Sequence, residues 1–155
     1  MDLAAALKQV DIFKDVPEAG LRAIAAVGEP VTLGAGDVVV VEGGPADALY
    51  VIRSGTCRVY KEKGGDARQV VTIDAWDQFG ASALLDRAPR SATVVATEPT
   101  ELVAFRAERL IAVLDRDPPT AAAFYHALAT SLFRRLRRTT DDLGFARLMV
   151  AERRG

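Results

Sequence analysis

Short strand-like segments separated by turn residues fill the middle of the chain, and their regular spacing limits the possible folds more than any other feature. They are three or four residues long, and Gly, Pro or Asp residues fall between them. Strands at roughly 8–12-residue spacing are typical of a sandwich or barrel and not of a doubly wound parallel sheet. The segments are residues 31–33, 38–41, 49–52, 57–60, 70–73, 93–96 and 102–105.

Helical periodicity flanks this central region on both sides. Apolar residues recur at three- and four-residue spacing from Leu3 to Val27, where the pattern closes at Gly28. The same spacing returns at Leu110, and a longer helix is predicted from about Thr120 past Leu136. We therefore expect a mainly β fold with flanking helices in a single domain, 1–155. Its parts are N-terminal helices in 1–28, strands in 29–106 and C-terminal helices in 107–145.

Length and composition limit the number of domains and the cellular compartment that we expect for the protein. The 155 residues suffice for one well-packed core, and the formal net charge is −1. Cys57 is the only cysteine in the sequence, so it forms no internal disulfide, which fits a reducing cytoplasm. The sequence shows no secretory signal and no apolar run of membrane-spanning length. A cytoplasmic protein is expected.

The segment from Phe79 to Ser91 has the composition of an anion-binding loop. A short strand is followed by Gly80, the start of a small helix, a loop, and Arg90 at the entrance to the next strand. Free N–H groups at a helix start and an arginine fork together suit a phosphate. Alternatively, Arg90 caps a helix or pairs with Asp86 on the surface.

These residues, together with Gly36, Gly43 and Gly55 at turn positions, resemble the cyclic-nucleotide-binding domain family over about residues 10–143. The resemblance implies an eight-stranded β-roll, jelly-roll-like, with N-terminal helices and a long C-terminal helix. It also implies that N–H groups near Gly80, with Arg90, hold the cyclic phosphate. The implied ligand-binding residues are Phe79, Gly80, Ala81, Ser82, Ala83, Arg90, Ser91 and Ala92, and the apolar cavity-lining residues are Val59 and Val70.

Two positions depart from the family pattern. Ala81 stands where the family has a Glu that holds the ribose 2′-hydroxyl, and losing that partner costs roughly 1–3 kcal/mol. Three outcomes follow: weak cyclic-mononucleotide binding, a more anionic ligand such as a cyclic dinucleotide, or an empty pocket. Ser82 either substitutes in part through its hydroxyl or caps the small helix. Trp76 replaces a family Gly and either packs on the sheet or stacks on a base.

The long C-terminal helix carries an apolar seam with a spacing of four residues along most of its length. It resembles the dimerisation helix of catabolite activator-type bacterial regulators, which implies a homodimer and a base contact from Thr139 and Thr140. Alternatively, the two threonines are exposed or weakly helix-terminating. The predicted interface residues are Phe124, Leu128, Leu132, Leu136 and Leu143.

The arginines around Leu136 are interpreted as a solvated face or as partners in interhelical salt bridges, and no nucleic-acid contact is expected. Catalysis is not expected either: His126 is the only histidine in the sequence and lies outside the strand region, so the histidine set of a cupin metal site is missing.

The resulting hypothesis is a sensor domain whose ligand is cyclic AMP, cyclic GMP or a cyclic dinucleotide. It needs no metal or cofactor, does not enter a membrane, and acts on an unidentified effector protein. The alternative is a ligand-free β-roll that serves as a protein–protein interaction module. Eleven residues follow Gly144, too few for a helix-turn-helix domain, so the chain acts through another protein or is part of a longer one.

Overall fold

The computed structural model describes the backbone of residues 2–63 and 66–154 and the side chains of residues 2–62 and 71–138. Within these ranges two helices precede a series of eight strands and two helices follow it. The helices are α1 (Leu3–Leu7), α2 (Glu18–Ala26), α3 (Ala107–Arg116) and α4 (Pro118–Arg154). The strands are β1 (Gly28–Leu33), β2 (Val38–Val40), β3 (Ala48–Ser54), β4 (Cys57–Lys63), β5 (Asp66–Ile73), β6 (Gln78–Phe79), β7 (Thr93–Ala96) and β8 (Thr100–Arg106), and a 3₁₀ helix (Ala81–Leu84) follows β6.

The described strands form two four-stranded antiparallel sheets. One has the order β1-β8-β3-β6 and the other the order β2-β7-β4-β5. The chain crosses repeatedly between the sheets, which gives the jelly-roll-like architecture and confirms the predicted fold class. Tight turns at Gly36, Gly43 and Gly55 take positive φ angles, as the sequence predicts for these corners.

Strand alternation divides the interior into two cores. In β3, Leu49 and Val51 point toward the helices, whereas Ile52 points between the two sheets. In the core beside the helices, Phe13 joins β8 to α4. Its ring centroid lies 5.8 Å from that of Phe105 on β8 and 5.5 Å from that of Phe124 on α4. Cys57 is fully buried between the sheets, and burial raises the pKa of its thiol. Such a residue has a packing role.

The N-terminal region is less helical than the sequence predicts. Turns connect α1 to α2, and Gly28 opens β1 instead of ending a helix. The physical reason is close packing, since a Cβ at Gly28 would lie 2.8 Å from Cγ1 of Val103. Gly28 pairs with Phe105 at the start of the β1–β8 ladder.

The base of α4 is fixed by tight packing and capping. Asp117 Oδ2 accepts a hydrogen bond of 2.7 Å from the Thr120 hydroxyl, and Pro118 occupies the first helical position, where its missing N–H is not needed. A Cβ at Gly20 of α2 would collide with the Thr120 side chain, so Gly20 allows the two helices to touch. Across residues 2–63 and 66–154, no helix combines the length and apolar character that a bilayer crossing requires.

Candidate functional site

A cavity of about 640 Å³ opens beside β6 and the 3₁₀ helix, between the β2-β7-β4-β5 sheet and α4. Its volume lies within the ~300–1,000 Å³ range of typical small-molecule sites. Its described lining residues are Val40, Val59, Val71, Thr72, Ile73, Asp77, Gln78, Phe79, Gly80, Ala81, Ser82, Arg90, Ser91, Ala92, Val94, Leu132, Arg135 and Arg138. The lining therefore combines an apolar sheet face with a polar rim.

Gly80 shapes the rim because its backbone conformation and its surroundings both exclude a side chain. Its φ is +89°, and a Cβ would lie 2.7 Å from Arg90 Nη1 and 2.8 Å from the Ala48 carbonyl oxygen. Gly80 also precedes the first turn of the 3₁₀ helix. Only glycine brings the Arg90 guanidinium this close to the turn.

Arg90 is a buried cation at the cavity wall, with 6 % of its surface exposed. Its Nη2 donates hydrogen bonds to the Ala48 carbonyl (2.8 Å) and to Asp47 Oδ1 (3.4 Å), and its Nη1 donates to the Gly80 carbonyl (3.2 Å). Its buried Nε has no hydrogen-bond partner among the protein atoms. The guanidinium is thus held in place, and its Nε–H is left for another acceptor. The alternative pairing with Asp86 is wrong, since Asp47 takes that role.

Asp47 links Arg90 to a second group of charges near the start of α3. Its Oδ2 lies 3.5 Å from Arg106 Nη1, and Glu29 in turn contacts both Arg106 (3.5 Å) and Arg109 (2.9 Å). These pairs are partly solvent-exposed, so each contributes little to stability. They nevertheless connect the cavity wall to the helical layer through continuous polar contacts.

Tyr50 packs behind Arg90. Its ring stacks on Phe79 at 5.1 Å, and the Arg90 guanidinium lies 5.9 Å from its centroid. Burial raises the pKa of the Tyr50 phenol, the Asp47 carboxylate raises it further, and Arg90 and Arg106 oppose the rise. Tyr50 therefore stays neutral at physiological pH and acts as a wall for the cation.

The 3₁₀ helix contributes backbone donors at its N-terminal end. Ala81 and Ser82 occupy its first positions, where N–H groups have no partner within the helix. The N–H of Ala83 donates to the Gly80 carbonyl at 3.1 Å, and its methyl group is buried in the helical core, away from the cavity lining. Ala83 is thus not a lining residue of the cavity, and its contact with a ligand stays a prediction. Ser82 as a cap is wrong, because Gly80 is the N-cap residue.

The structure brings most of the residues predicted for the cavity to one place. Phe79, Gly80, Ala81, Ser82, Arg90, Ser91, Ala92 and Val59 all line it. The side chains of Val70, Thr139, Thr140 and Leu143 lie outside the described residues. Val71, which pairs with Val59 across a bulged register, lines the cavity on β5.

Trp76 does not line the cavity. In the turn before β6 its φ is 69°, a conformation that favours glycine. Its side chain packs against the helical core. Of the two interpretations from the sequence, the structure places Trp76 in packing and not against a base.

The predicted seam of α4 divides into two parts. Phe124 and Leu128 are 0 % and 1 % exposed because they fill the core of their own chain, so the prediction that they contact a second subunit is wrong. Leu132 is partly buried and borders the cavity. Leu136 is 61 % exposed, and residues 133–138 are exposed on every face of the helix.

Sequence reasoning missed five polar or charged residues at the cavity: Thr72, Asp77, Gln78, Arg135 and Arg138. Gln78 is 2 % exposed, and neither polar atom of its side-chain amide has a hydrogen-bond partner in the protein. The three-residue spacing of Leu132, Arg135 and Arg138 signals one shared helix face, yet it does not identify the surface that this face meets.

The fold and the cavity together define a β-roll with a cavity of small-molecule size beside its long C-terminal helix. Residues 30–117 match the model of the cyclic nucleotide-binding domain. This chain therefore belongs to the cyclic nucleotide-binding domain family.

Individual relatives agree with this assignment. The chain is 37 % identical over 109 residues to the cyclic AMP receptor protein of Thermus thermophilus, covering 70 % of this chain and 49 % of the relative. The N-terminal domain of a transcriptional regulator from Streptomyces coelicolor superposes with a TM-score of 0.75 at 29 % identity, covering 88 % of this chain and 95 % of that one. The regulatory domain of Toxoplasma gondii PKA, crystallised with cAMP, gives 0.68 at 28 % identity, with coverages of 72 % and 43 %.

The relatives with curated names are cyclic-AMP-responsive regulators and kinase regulatory subunits. This chain spans about half the length of the Thermus receptor and about a fifth of a matching kinase regulatory subunit from Mucor circinelloides. The shared part is the cyclic nucleotide-binding domain and not the whole of either protein.

Proposed function

We propose that this chain is a regulatory sensor that binds the phosphate of a cyclic nucleotide at Arg90 and the start of the 3₁₀ helix. The observation that carries the proposal is the unpartnered Nε of a buried arginine at a cavity wall. A buried donor without an acceptor costs about 1–3 kcal/mol, and a phosphate oxygen would remove that cost. The lining N–H groups of Ala81 and Ser82 would add donors on the same side.

The helix α4 is the proposed route from ligand to effector. It borders the cavity at Leu132, Arg135 and Arg138, and the side chains of residues 133–138 are exposed. A ligand that contacts this helix differently from solvent biases its position, which is the requirement for a conformational signal. The effector is proposed to be a protein that contacts α4, and no catalytic step is assigned to the chain.

Thermal unfolding with cyclic AMP, cyclic GMP and cyclic di-GMP in parallel tests the proposal. A ligand present at a hundred times its dissociation constant stabilises the fold by about 2.7 kcal/mol, or roughly 5–10 °C in a domain of this size. A shift with at least one of the three is expected. Unchanged midpoints with all three would instead favour the ligand-free interaction module, which the alanine at position 81 also favours.

The variant Ala81→Glu addresses the missing ribose contact. Ala81 lines the cavity, and its methyl group cannot accept a hydrogen bond. A glutamate there is expected to strengthen cyclic AMP binding about tenfold, measured by isothermal titration calorimetry. Ala81→Gln is the matched control, because it adds an acceptor without adding a charge. No gain with either variant would show that more than one contact of the cyclic-mononucleotide site has changed.

We also propose that α4 pairs with a second copy of the chain beyond Leu132. Phe133 and Leu136 are 57 % and 61 % exposed, and apolar side chains of this size are commonly covered by a partner when they share a helix. Light scattering at micromolar concentration is expected to give a dimer mass, and a monomer mass for Leu136→Glu. A wild-type monomer would contradict the proposed interface.

A further inference from the structure

Arginine side chains from two different elements border the cavity. Arg90 lies at the sheet wall, and Arg135 and Arg138 come from α4. The two helix arginines are three residues apart, so they are neighbours on one face. Among the described lining residues, Asp77 is the one carboxylate. With the three arginines it gives a formal charge of about +2 around the cavity.

Contacts fix the location of the second cationic group. Arg135 Nη2 donates to the Gln78 carbonyl at 3.4 Å, which holds its guanidinium against β6 at the cavity edge. Arg138 lines the same edge one turn further along and is exposed. Leu132 precedes both on the same face and borders the cavity with them. Arg135 is therefore anchored to the cavity wall, and Arg138 lies at the same edge.

Unpartnered polar groups occur at the same cavity. The buried Gln78 amide has neither a donor nor an acceptor partner in the protein, and Arg90 Nε has no acceptor. Gln78 follows Asp77 on the short β6 strand, and its main chain is the one that Arg135 contacts. A ligand that extends from Arg90 toward α4 therefore passes polar groups that the folded chain leaves unsatisfied.

We propose that the cavity takes a ligand with two separated anionic groups, one at Arg90 and the other between Arg135 and Arg138. A cyclic dinucleotide carries two phosphodiester groups and fits this arrangement, whereas a cyclic mononucleotide carries one. Ala81 agrees with the proposal, because an alanine at that position, unlike a glutamate, leaves the positive charge of the cavity unreduced. The inference rests on the proposed function in one respect, that Arg90 holds a phosphate.

Calorimetric titration of the full chain with cyclic di-GMP and with cyclic AMP tests the inference. The double variant Arg135→Gln/Arg138→Gln is expected to weaken cyclic di-GMP binding about tenfold to a hundredfold and cyclic AMP binding by less than about threefold. The double variant Arg135→Lys/Arg138→Lys is expected to recover part of the loss. The altered side chains are exposed, and an unchanged unfolding midpoint checks that the fold is retained.

A matched control lies on the same helix. Arg134→Gln/Arg137→Gln removes the same charge with the same three-residue spacing, yet neither residue lines the cavity, and Arg137 lies 5.0 Å over the Phe133 ring. This control is expected to change either affinity by less than about threefold.

The outcomes separate the inference from the proposed function. Equal losses from the two double variants, or no loss from Arg135→Gln/Arg138→Gln, would overturn the inference. Binding of cyclic AMP in preference to cyclic di-GMP would overturn it as well and leave the proposed function standing. Failure of cyclic di-GMP and cyclic AMP to bind would overturn the inference, and the proposed function would fall with it only if cyclic GMP also failed to bind.

Discussion

Replacing Arg90 with Gln is expected to weaken nucleotide binding about tenfold to a hundredfold, measured with the nucleotide that stabilises the wild-type protein. The guanidinium is held by the carbonyls of Gly80 and Ala48. Its unpartnered Nε–H is therefore already oriented before a ligand arrives. A charge-assisted hydrogen bond to a phosphate contributes about 1.5–3 kcal/mol, and the neutral, shorter glutamine cannot replace it. Calorimetric titration measures the loss.

The variant Asp47→Asn separates a binding role of Arg90 from a structural one. It removes the 3.4 Å ion pair with Arg90 but leaves every donor of the guanidinium in place. Its affinity is expected to stay within about fivefold of wild type, because Asp47 is half exposed and the pair contributes little. If Asp47→Asn and Arg90→Gln lost affinity equally, Arg90 would act by supporting the cavity wall and not by contacting the ligand.

The variant Gly55→Ala is expected to lose about 2–5 kcal/mol of unfolding free energy. Gly55 has a φ of +91°, and an added Cβ would lie 2.6 Å from the Pro99 carbonyl oxygen and 2.7 Å from Thr100 Cα. The left-handed conformation costs an alanine about 1–2 kcal/mol, and the collision with backbone atoms adds a further 1–3 kcal/mol. Thermal unfolding is expected to show a fall in the midpoint of at least about 4 °C.

Gly36→Ala is the matched control for the steric part of this effect. Gly36 has nearly the same φ, +90°, but a Cβ there meets no heavy atom within 4 Å. Its expected loss is the conformational cost alone, about 1–2 kcal/mol. Equal losses at the two glycines would mean that residues 99 and 100 move aside without cost and that the corner is not tightly packed.

The turns and the phosphate-type segment could be predicted from the sequence because they depend on local chemistry. A corner that needs a positive φ favours glycine wherever it occurs, and Gly36, Gly43 and Gly55 all have that conformation. Gly80 and Arg90 are ten residues apart and meet through a short loop, so their proximity also follows from local spacing.

The arrangement around α4 could not be predicted in the same way. The spacing of Phe124 and Leu128 shows that one helix face is buried, but not whether its own chain or a partner covers it. Arg135 meets the main chain of Gln78 across 57 positions of sequence, and only the complete fold brings them together. The positive φ of Trp76 is a conformation that glycine favours, and packing of its indole against the core offsets that strain.

The way α4 is held has a mechanical consequence. Thr120, Phe124 and Leu128 are buried over its first turns, whereas the described side chains from Phe133 to Arg138 are exposed. Leu132, where the cavity meets the helix, is therefore the pivot of a rod that continues for about 33 Å to Arg154 at 1.5 Å per residue. A tilt of about 5° at this pivot displaces the far end by about 3 Å, so a small adjustment around a ligand becomes a movement that a bound partner can detect.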